Sequence, residues 1–470
     1  MATIKLPFVG GAYETHSKDV AAQEAINCYV EADGQASPSL VGVPGLRTFL
    51  DLGVPIRGMM PIDYQSTAQN LAVVAGSSYY EVNVLGFVTQ YGAVLGGSAA
   101  SMIQNPTQIM IFGGNTLYYL DKSARVVTVI ADQAANSIVA GERLAYIDGY
   151  GITWDRLSDV FWYTDVLDFS SIGGLNFASA EGFSDTLISV ANNVRELWLM
   201  GRNTIEVWLN VGDATNPFQR LPGGFIERGC LAPRSVATRD GSVFWLGDDR
   251  VVYRSQGLQP VRISNFGIEN LINQENLPED CIATTYSAYG HSFYQLSFFG
   301  VTIVYDLTNG LWHTRRSIGS DRSVIEHSAS IWNKTLVGGT DGVIYELDRD
   351  LYTEGSIVSP TDTREEIERI RTVGPLRIEG YATLASVTFV METGGNDDLA
   401  TDKKVFLEVS RDGGRTYGNR MERSVGKSGE YVEKIQFNGL GGFYDNQCVL
   451  KLTMTDNAKF ALVDAYADVV

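Results

Sequence analysis

The residues able to do chemistry are few and scattered. The histidines are His16, His291, His313 and His327. None stands in the HExxH spacing that sets two imidazoles on one helix face around a metal. His313, in LWHTRRS beside Arg315 and Arg316, reads as a surface or interface residue. The cysteines, Cys28, Cys230, Cys281 and Cys448, lie far apart with no C-x-x-C pair. They suggest neither a disulfide framework nor a zinc site, and buried free thiols are expected, as suits a chain made in a reducing cytoplasm. Glycoside hydrolysis would need paired carboxylates, or a tyrosine nucleophile with arginines clamping an anionic sugar. Glu206, Asp248, Asp249 and Glu346 could face a cavity, but their spacing is that of solvated turn residues. No G-x-S-x-G elbow, Walker loop or G-x-G-x-x-G after a strand occurs. GVPGLRTF (42–49) reads as a turn and a strand. The expectation is a protein without catalytic residues, cofactor or metal.

Two motifs suggest structure instead. Ser410, Asp412, Gly414 and Thr416, followed by Tyr417, fit the Asp-box pattern S-x-D-x-G-x-T-(aromatic). The aspartate can accept backbone N–H bonds inside the turn and the glycines permit positive φ. Asp-boxes occur in sialidases as a structural turn away from the active site, so this one predicts a turn and no activity. In TREEIERIRT, Arg364, Arg369 and Arg371 alternate with Glu365, Glu366 and Glu368. As a helix this run would carry i,i+3 and i,i+4 pairs. It is expected to be a solvated linker, or else a docking strap between domains or subunits.

The elements that must position these residues are strands. Short apolar runs bounded by Gly, Asn or Asp recur, among them LAVVAG (71–76), QIMIFGG (108–114), SVFWLGD (242–248), FYQLSFFG (293–300) and VIYELD (343–348). After a turn, each unit has an aromatic-bearing strand, at Tyr80, Tyr119, Trp162, Trp208, Tyr253, Tyr305 and Tyr345. A period of roughly 40–50 residues with several strands per unit is the spacing of β-propeller blades. One four-stranded blade cannot bury both faces, but blades around an axis bury each other. The prediction is an all-β chain with a β-propeller over 51–355, of about seven blades with six or eight possible; an elongated array of β-sandwiches is the structural alternative. Residues 1–50 read as an arm adding a strand to a blade or to a neighbouring subunit. Residues 264–281 predict a short helix with Ile268, Leu271 and Ile272 on one face. A charged linker is expected over 356–375. Residues 376–470 then carry roughly six strands, the pattern of a β-sandwich.

Composition limits the function. Hydrophobic residues make up 44% and charged residues 19%, enough for a large core. There are 49 glycines, and aromatics reach 11%, which favours strands joined by tight turns. The net charge of −19 repels phosphate and argues against tight wrapping of nucleic acid. An acidic wall suits a channel through which DNA slides, and the same charge equally serves solubility. The N-terminal MATIKLPFVGG lacks the charged start and apolar core of a signal peptide, and no run approaches the about 18 apolar residues of a membrane span. The expectation is therefore synthesis in a cytoplasm without membrane insertion by this chain.

EAINCYVEADGQ and LVGVPGLRTF near the N-terminus, GFIERGCLAPRSV (224–236) and SVFWLGDDRVVYR in the middle, and VFLEVSRDGGRTYG, GKSGEY (426–431) and LKLTMTD at the end occur in an order that resembles one family. It is that of the packaged-DNA stabilisation proteins, the tail hub or nozzle of short-tailed (podovirus-type) bacteriophages. The resemblance covers essentially the whole chain. It implies a structural virion protein that forms a homo-hexamer below the portal and its adaptor. Such a ring would continue the DNA channel, retain packaged double-stranded DNA, conduct it during ejection without sequence-specific binding, and carry the tail needle or plug and the fibres or spikes. It implies no catalytic residues. A rival reading is a carbohydrate-binding or carbohydrate-cleaving tail propeller, for which Trp154, Trp162 and Trp208 are the first residues to locate. A generic cytosolic scaffold is a third.

Overall fold

A computed structural model describes residues 2–14, 22–32, 37–64, 69–97, 99–183, 185–213, 215–355, 357–358, 361–362, 365–394, 402–431, 433–445 and 447–470. Within it the apolar runs fold back on themselves as antiparallel four-stranded meanders. Blade 1 is Ile56–Ile62, Asn70–Ala75, Ser78–Val82 and Val88–Ala93. Blades 2 to 6 follow in sequence over 101–129, 145–179, 187–226, 237–262 and 282–314. Blade 7 takes three strands from 325–348 and its outermost strand, Gly45–Asp51, from near the N-terminus. The first strand of each blade packs on the first strand of the next, and that of blade 7 touches that of blade 1, so the ring closes.

Seven apolar clusters lie between adjacent blades and hold the ring together. Each fully buried Val, Leu, Ile or Phe in them contributes about 1.5–3 kcal/mol. All seven marker aromatics sit on the third strand of their blade and pack against one of these clusters. In blades 5 and 7 the ring is also tied to the preceding turn. Tyr253 donates its hydroxyl to Asp249 and Tyr345 to Asp341, each at 2.6 Å.

Closure is made by the strand Gly45–Asp51 against Val343–Asp348, with Arg47 Nε donating to Asp348 Oδ2 at 2.7 Å. Gly45 must be glycine there, because a Cβ would stand 2.4 Å from the Leu351 carbonyl oxygen. The expected helix is Phe266–Gln274, capped by Asn265, whose side chain accepts from the Ile268 N–H at 3.0 Å. Ile268 and Ile272 enter the core between blades 5 and 6, with Leu271 half-buried beside them.

The C-terminal strands form a β-sandwich around a separate core. One sheet runs Ile435–Tyr444, Tyr381–Met391, Ala461–Val469, Ser39–Gly42 and Cys28–Glu31, with Ala2–Lys5 on the far part of Ala461–Val469. The facing layer is Ala25–Ile26, Arg369–Val373, Val449–Met454, Lys404–Ser410 and Met421–Ser424. This layer is continuous with blade 6. The outer strand Leu311–Thr314 pairs in parallel with Ala25–Ile26, giving one sheet of nine strands across both halves.

Two expectations change as a result. Residues 1–50 do add a strand to a blade, Gly45–Asp51 on blade 7 of the same chain, but their earlier strands belong to the sandwich rather than to a separate arm. The described residues of 356–375 hold paired strands where a solvated linker was expected. Thr353–Glu354 pairs with Glu365–Glu366, and Arg369–Val373 is a fully buried sandwich strand, so that layer begins before 376. Arg364 lies outside the described residues. The charged run misleads because Arg369 and Arg371 find backbone carbonyls where a helix would have offered them glutamates.

Candidate assembly site at the propeller–sandwich junction

Beside the propeller, the chain crosses from one layer of the sandwich to the other at Asn27, which has φ 54°, a left-handed conformation that asparagine tolerates better than most residues. Asn27 is buried and all its polar groups are used. Its N–H donates to the Thr314 carbonyl at 2.9 Å, and its carbonyl accepts from Val43 N–H at 3.0 Å. Its Nδ2 donates to the carbonyls of Arg316 and Glu368, each at 2.9 Å, and its Oδ1 accepts from Arg316 N–H at 3.0 Å. Arg316 belongs to the propeller side and Glu368 to the sandwich side, so one side chain fastens both. Arg316 and Glu368 also pair through their side chains.

Three buried arginines extend the joint. Arg371 donates Nε to the Phe8 carbonyl at 2.8 Å, and its Nη atoms reach the carbonyls of Gly11, Glu24 and Pro7 at 3.2–3.3 Å. Arg369 donates to the carbonyls of Tyr352, Asp456 and Ala458 at 3.2–3.3 Å. Burial pushes both guanidiniums down to about 10, which still leaves them charged at neutral pH. Arg315 donates to the Pro44 carbonyl at 3.1 Å and lies 4.0 Å from Glu354, whose carboxyl burial pushes up against the pull of Arg315. These cations join segments far apart in sequence by five-donor forks that match carbonyl oxygens.

Above the joint, Tyr29 packs edge-on to His291 and Phe293 and lies 5.9 Å from His313. His291 Nδ1 is 2.6 Å from Asp306 Oδ2, and Asn309 bonds both Asp306 and the Val30 carbonyl. His313 is buried, not at a surface, and burial pushes its imidazole down to about 3. A cleft of about 270 Å³ opens beside the joint, with an apolar floor including Ile26, Ile268 and Leu271 and carboxylates of Glu24, Glu275 and Asp321 around it.

Polar side chains tie the inner ends of the blades together around the propeller axis. Thr284 Oγ1 and Ser328 Oγ link the inner strands of blades 6 and 7 at 2.8 Å. Ser189 of blade 4 donates to the Pro233 carbonyl, just ahead of blade 5, at 2.9 Å. Arg234 Nε, ahead of blade 5, stands 3.1 Å from Glu142 Oε2, ahead of blade 3. That ion pair reaches past blade 4.

The residues singled out from the sequence do not converge. Glu206, in blade 4, accepts from Gly182 N–H at 2.7 Å and Trp208 Nε1 at 2.9 Å. Asp248 accepts from Gly229 N–H at 3.1 Å; Asp249 is taken by Tyr253; Glu346, in blade 7, pairs with Lys334 at 2.6 Å. Each carboxylate serves its own blade. Trp154 and Trp208 are buried in the core between blades 3 and 4, and Trp162 packs on Phe177 at 5.1 Å. The Asp-box residues form one turn after the strand Lys404–Ser410. Ser410 Oγ donates to Asp412 Oδ1 at 2.7 Å, while Gly414 N–H donates to Ser410 Oγ and Thr416 N–H to Asp412 Oδ1, each at 2.9 Å. The Thr416 hydroxyl, which donates to Asp412 Oδ2 at 2.5 Å, and with it the Ser410 and backbone bonds, hold the Asp412 carboxyl well below the usual range. All four cysteines are buried and free, and burial pushes the Cys28, Cys230 and Cys448 thiols up to about 12. His16 lies outside the described residues. Among the described residues no group of three His, Cys, Asp or Glu could hold a metal, and no helix is long and apolar enough to cross a membrane.

Asn27, Arg315 and the structural roles of Arg369 and Arg371 escape a reading by pattern. Their partners are carbonyls up to several hundred residues away, which leave no spacing in the sequence. The D-x-x-x-Y spacing of Asp249–Tyr253 and Asp341–Tyr345 was visible and marks the same turn in two blades.

Residues 4–352 match a family model described as bacteriophage P22 Gp10, beta-propeller, and residues 372–470 one described as bacteriophage P22 Gp10, beta-sandwich. No curated protein matches the chain. Among solved structures it is similar to the computationally designed Ika8 protein, at 11% identity over 64% of this chain and 99% of that one, with a TM-score of 0.37. It is also similar to PorZ, a surface component of the type-IX secretion system of Porphyromonas gingivalis, at 11% identity over 81% of this chain and 46% of that one, with a TM-score of 0.39. On the two family matches, which follow the propeller and the sandwich in turn, the chain belongs to the bacteriophage P22 Gp10 family of structural tail proteins that stabilise packaged DNA.

Proposed function

We propose that copies of this chain assemble into a homo-hexameric tail nozzle. The ring docks under the portal-adaptor, continues the DNA channel, holds packaged DNA until infection, conducts it during ejection, and carries the needle or plug and the fibres. The observation that carries this reading is the nine-stranded sheet shared by blade 6 and the sandwich, locked by Asn27 and the buried arginines. A subunit so built transmits force between its two ends without a hinge, as a part retaining pressurised DNA requires.

Inner strands packed one on the next around the ring, with an ion pair reaching past blade 4, support a lumen between subunits. The major groove of DNA alone is about 12 Å wide, whereas side chains ahead of blades 3 and 5 meet past blade 4 at 3.1 Å. The net charge of −19 supports an acidic lumen wall on which phosphates do not stick. Mixing the purified chain with its adaptor and measuring mass by light scattering tests the reading: a hexameric ring on the adaptor is expected, and a chain that stays monomeric and never joins virions contradicts it. A basic lumen in a tail reconstruction would remove the sliding-channel part. The buried tryptophans and dispersed carboxylates give a sugar-cleaving propeller no observation to stand on.

A further inference from the structure

The outer strand of a blade has one edge without a neighbour in its own sheet. Such an edge is a template for pairing unless charge, proline, a covering segment or shortness blunts it. Blade 4 ends in Phe218–Ile226 with Arg220 and Pro222, blade 5 in Gln259–Arg262 with Pro260 and Arg262, and blade 7 in Gly45–Asp51 with Arg47 and Asp51. The edge of blade 6 pairs with Ala25–Ile26. Those of blades 2 and 3, Val127–Val129 and Phe177–Ser179, are only three residues long. Blade 1 differs. Its outer strand Val88–Ala93 has six residues without a charge or a proline, and among the described residues no strand pairs with its far side.

The turn leading into this strand adds apolar side chains to the edge. Val84, Leu85 and Phe87 are 51%, 76% and 68% exposed, and Val88 beside them 37%. The turn has a defined shape. Asn83 Oδ1 accepts from the N–H groups of Leu85 and Phe87 at 2.9 and 3.1 Å, and the Asn83 N–H donates to the Phe87 carbonyl at 3.1 Å. These bonds hold the side chains out in water. No Asp, Glu, Lys or Arg occurs from Val82 to Leu120, the longest such run in a chain of which 19% is charged. Contiguous exposed apolar surface marks an interaction site.

The missing charge points to the partner. An edge without cations offers DNA phosphates nothing to bind. A basic partner would be drawn to the carboxylates of a chain at −19, and would dock where they are. A second copy is repelled by them, because like charges brought together out of water are unfavourable, and it docks best where they are absent. We propose that the edge of blade 1, with its 84–88 turn, is the contact by which one copy of this chain docks on the next. This rests on the nozzle reading above. A closed ring needs a heterologous contact, so the edge meets a different face of its neighbour.

The test is assembly of the full chain on its adaptor, followed by light scattering. Leu85→Asp and Phe87→Asp each put a charge at an exposed position and should leave the thermal transition where it is. The natural chain is expected to form a hexamer, and each variant to bind the adaptor as single copies with the hexameric mass lost. Amide hydrogen exchange over 84–93 should slow at least about tenfold when the natural chain assembles. Variants that form hexamers as the natural chain does, or exchange over 84–93 that is unchanged on assembly, would overturn the proposal and leave the nozzle reading standing. A natural chain that stays monomeric would sink both. Variants that cannot bind the adaptor even as single copies would assign the edge to the adaptor and overturn the second copy as its occupant. Should one variant not fold, the other and the exchange measurement carry the test by the same criteria.

Discussion

Asn27 and Arg316 exchange two hydrogen bonds across 289 residues of chain: Nδ2 to the Arg316 carbonyl at 2.9 Å, and Arg316 N–H to Oδ1 at 3.0 Å. With the Glu368 carbonyl added, this single asparagine joins propeller and sandwich. Replacing it by alanine leaves buried backbone groups unsatisfied, at about 1–3 kcal/mol. It also places a residue less suited than asparagine at φ 54°. Asn27→Ala is expected to lower unfolding free energy by about 2–4 kcal/mol in denaturant titration. Asn27→Gly, free of the backbone strain, should recover roughly 1 kcal/mol of that. Equal stability of Asn27→Ala and the natural protein would show that the joint does not depend on this side chain.

Arg371 makes a sharper demand. It is fully buried and bonded to carbonyls of Pro7, Phe8, Gly11 and Glu24. Lysine keeps the charge but cannot present the planar fork. Arg371→Lys is predicted to cost about 3–5 kcal/mol, the range for breaking a buried charged network from one side. Limited proteolysis should then cut first near the N-terminus, whose carbonyls lose their donor. Unchanged thermal stability and cleavage would contradict that role.

Much of this was legible beforehand, and the losses have physical causes. The seven aromatics gave the blade count because each blade repeats the same burial problem, so each needs a large ring on its third strand. The N-terminal strands were seen as strands but not placed, since runs as short as Ala25–Ile26 carry no periodicity and pair with residues near 314 and 370. Arg369 and Arg371 were read as solvated because charge usually is. Only the fold shows the ring of carbonyls that accepts them. His313 failed for the same reason: its neighbours Arg315 and Arg316 suggested a surface, while Tyr29 covers it.

Acid should weaken the fold through its buried imidazoles. Burial pushes His313 from 6.5 to about 3 and His327 to about 4. The folded chain thus refuses protons that the unfolded chain accepts below pH ~6.5. Stability is whole above that value and falls as pH drops toward about 4 for His327 and about 3 for His313. The slope is about 1.4 kcal/mol per pH unit for each histidine. His313→Gln should remove one such increment between pH ~6 and ~4. An unchanged slope in that variant would rule His313 out as a source.

Gly45 tests the closure of the ring. Gly45→Val would drive a side chain into the Leu351 carbonyl and loosen the strand that completes blade 7. A loss of about 1–3 kcal/mol is expected, with faster hydrogen exchange concentrated in 45–51 and 343–348. Exchange that rises evenly over the whole propeller would argue against a locally closed seam.

In the proposed nozzle each subunit is one stiff body whose propeller axis carries no DNA, so that DNA travels between copies. Electron cryomicroscopy of the intact tail measures this directly. Duplex density in a lumen enclosed by several copies, with propeller and sandwich in the same relative placement in every copy, is the predicted result. Duplex density threading single propellers, or a sandwich that swings relative to its propeller from copy to copy, would contradict it.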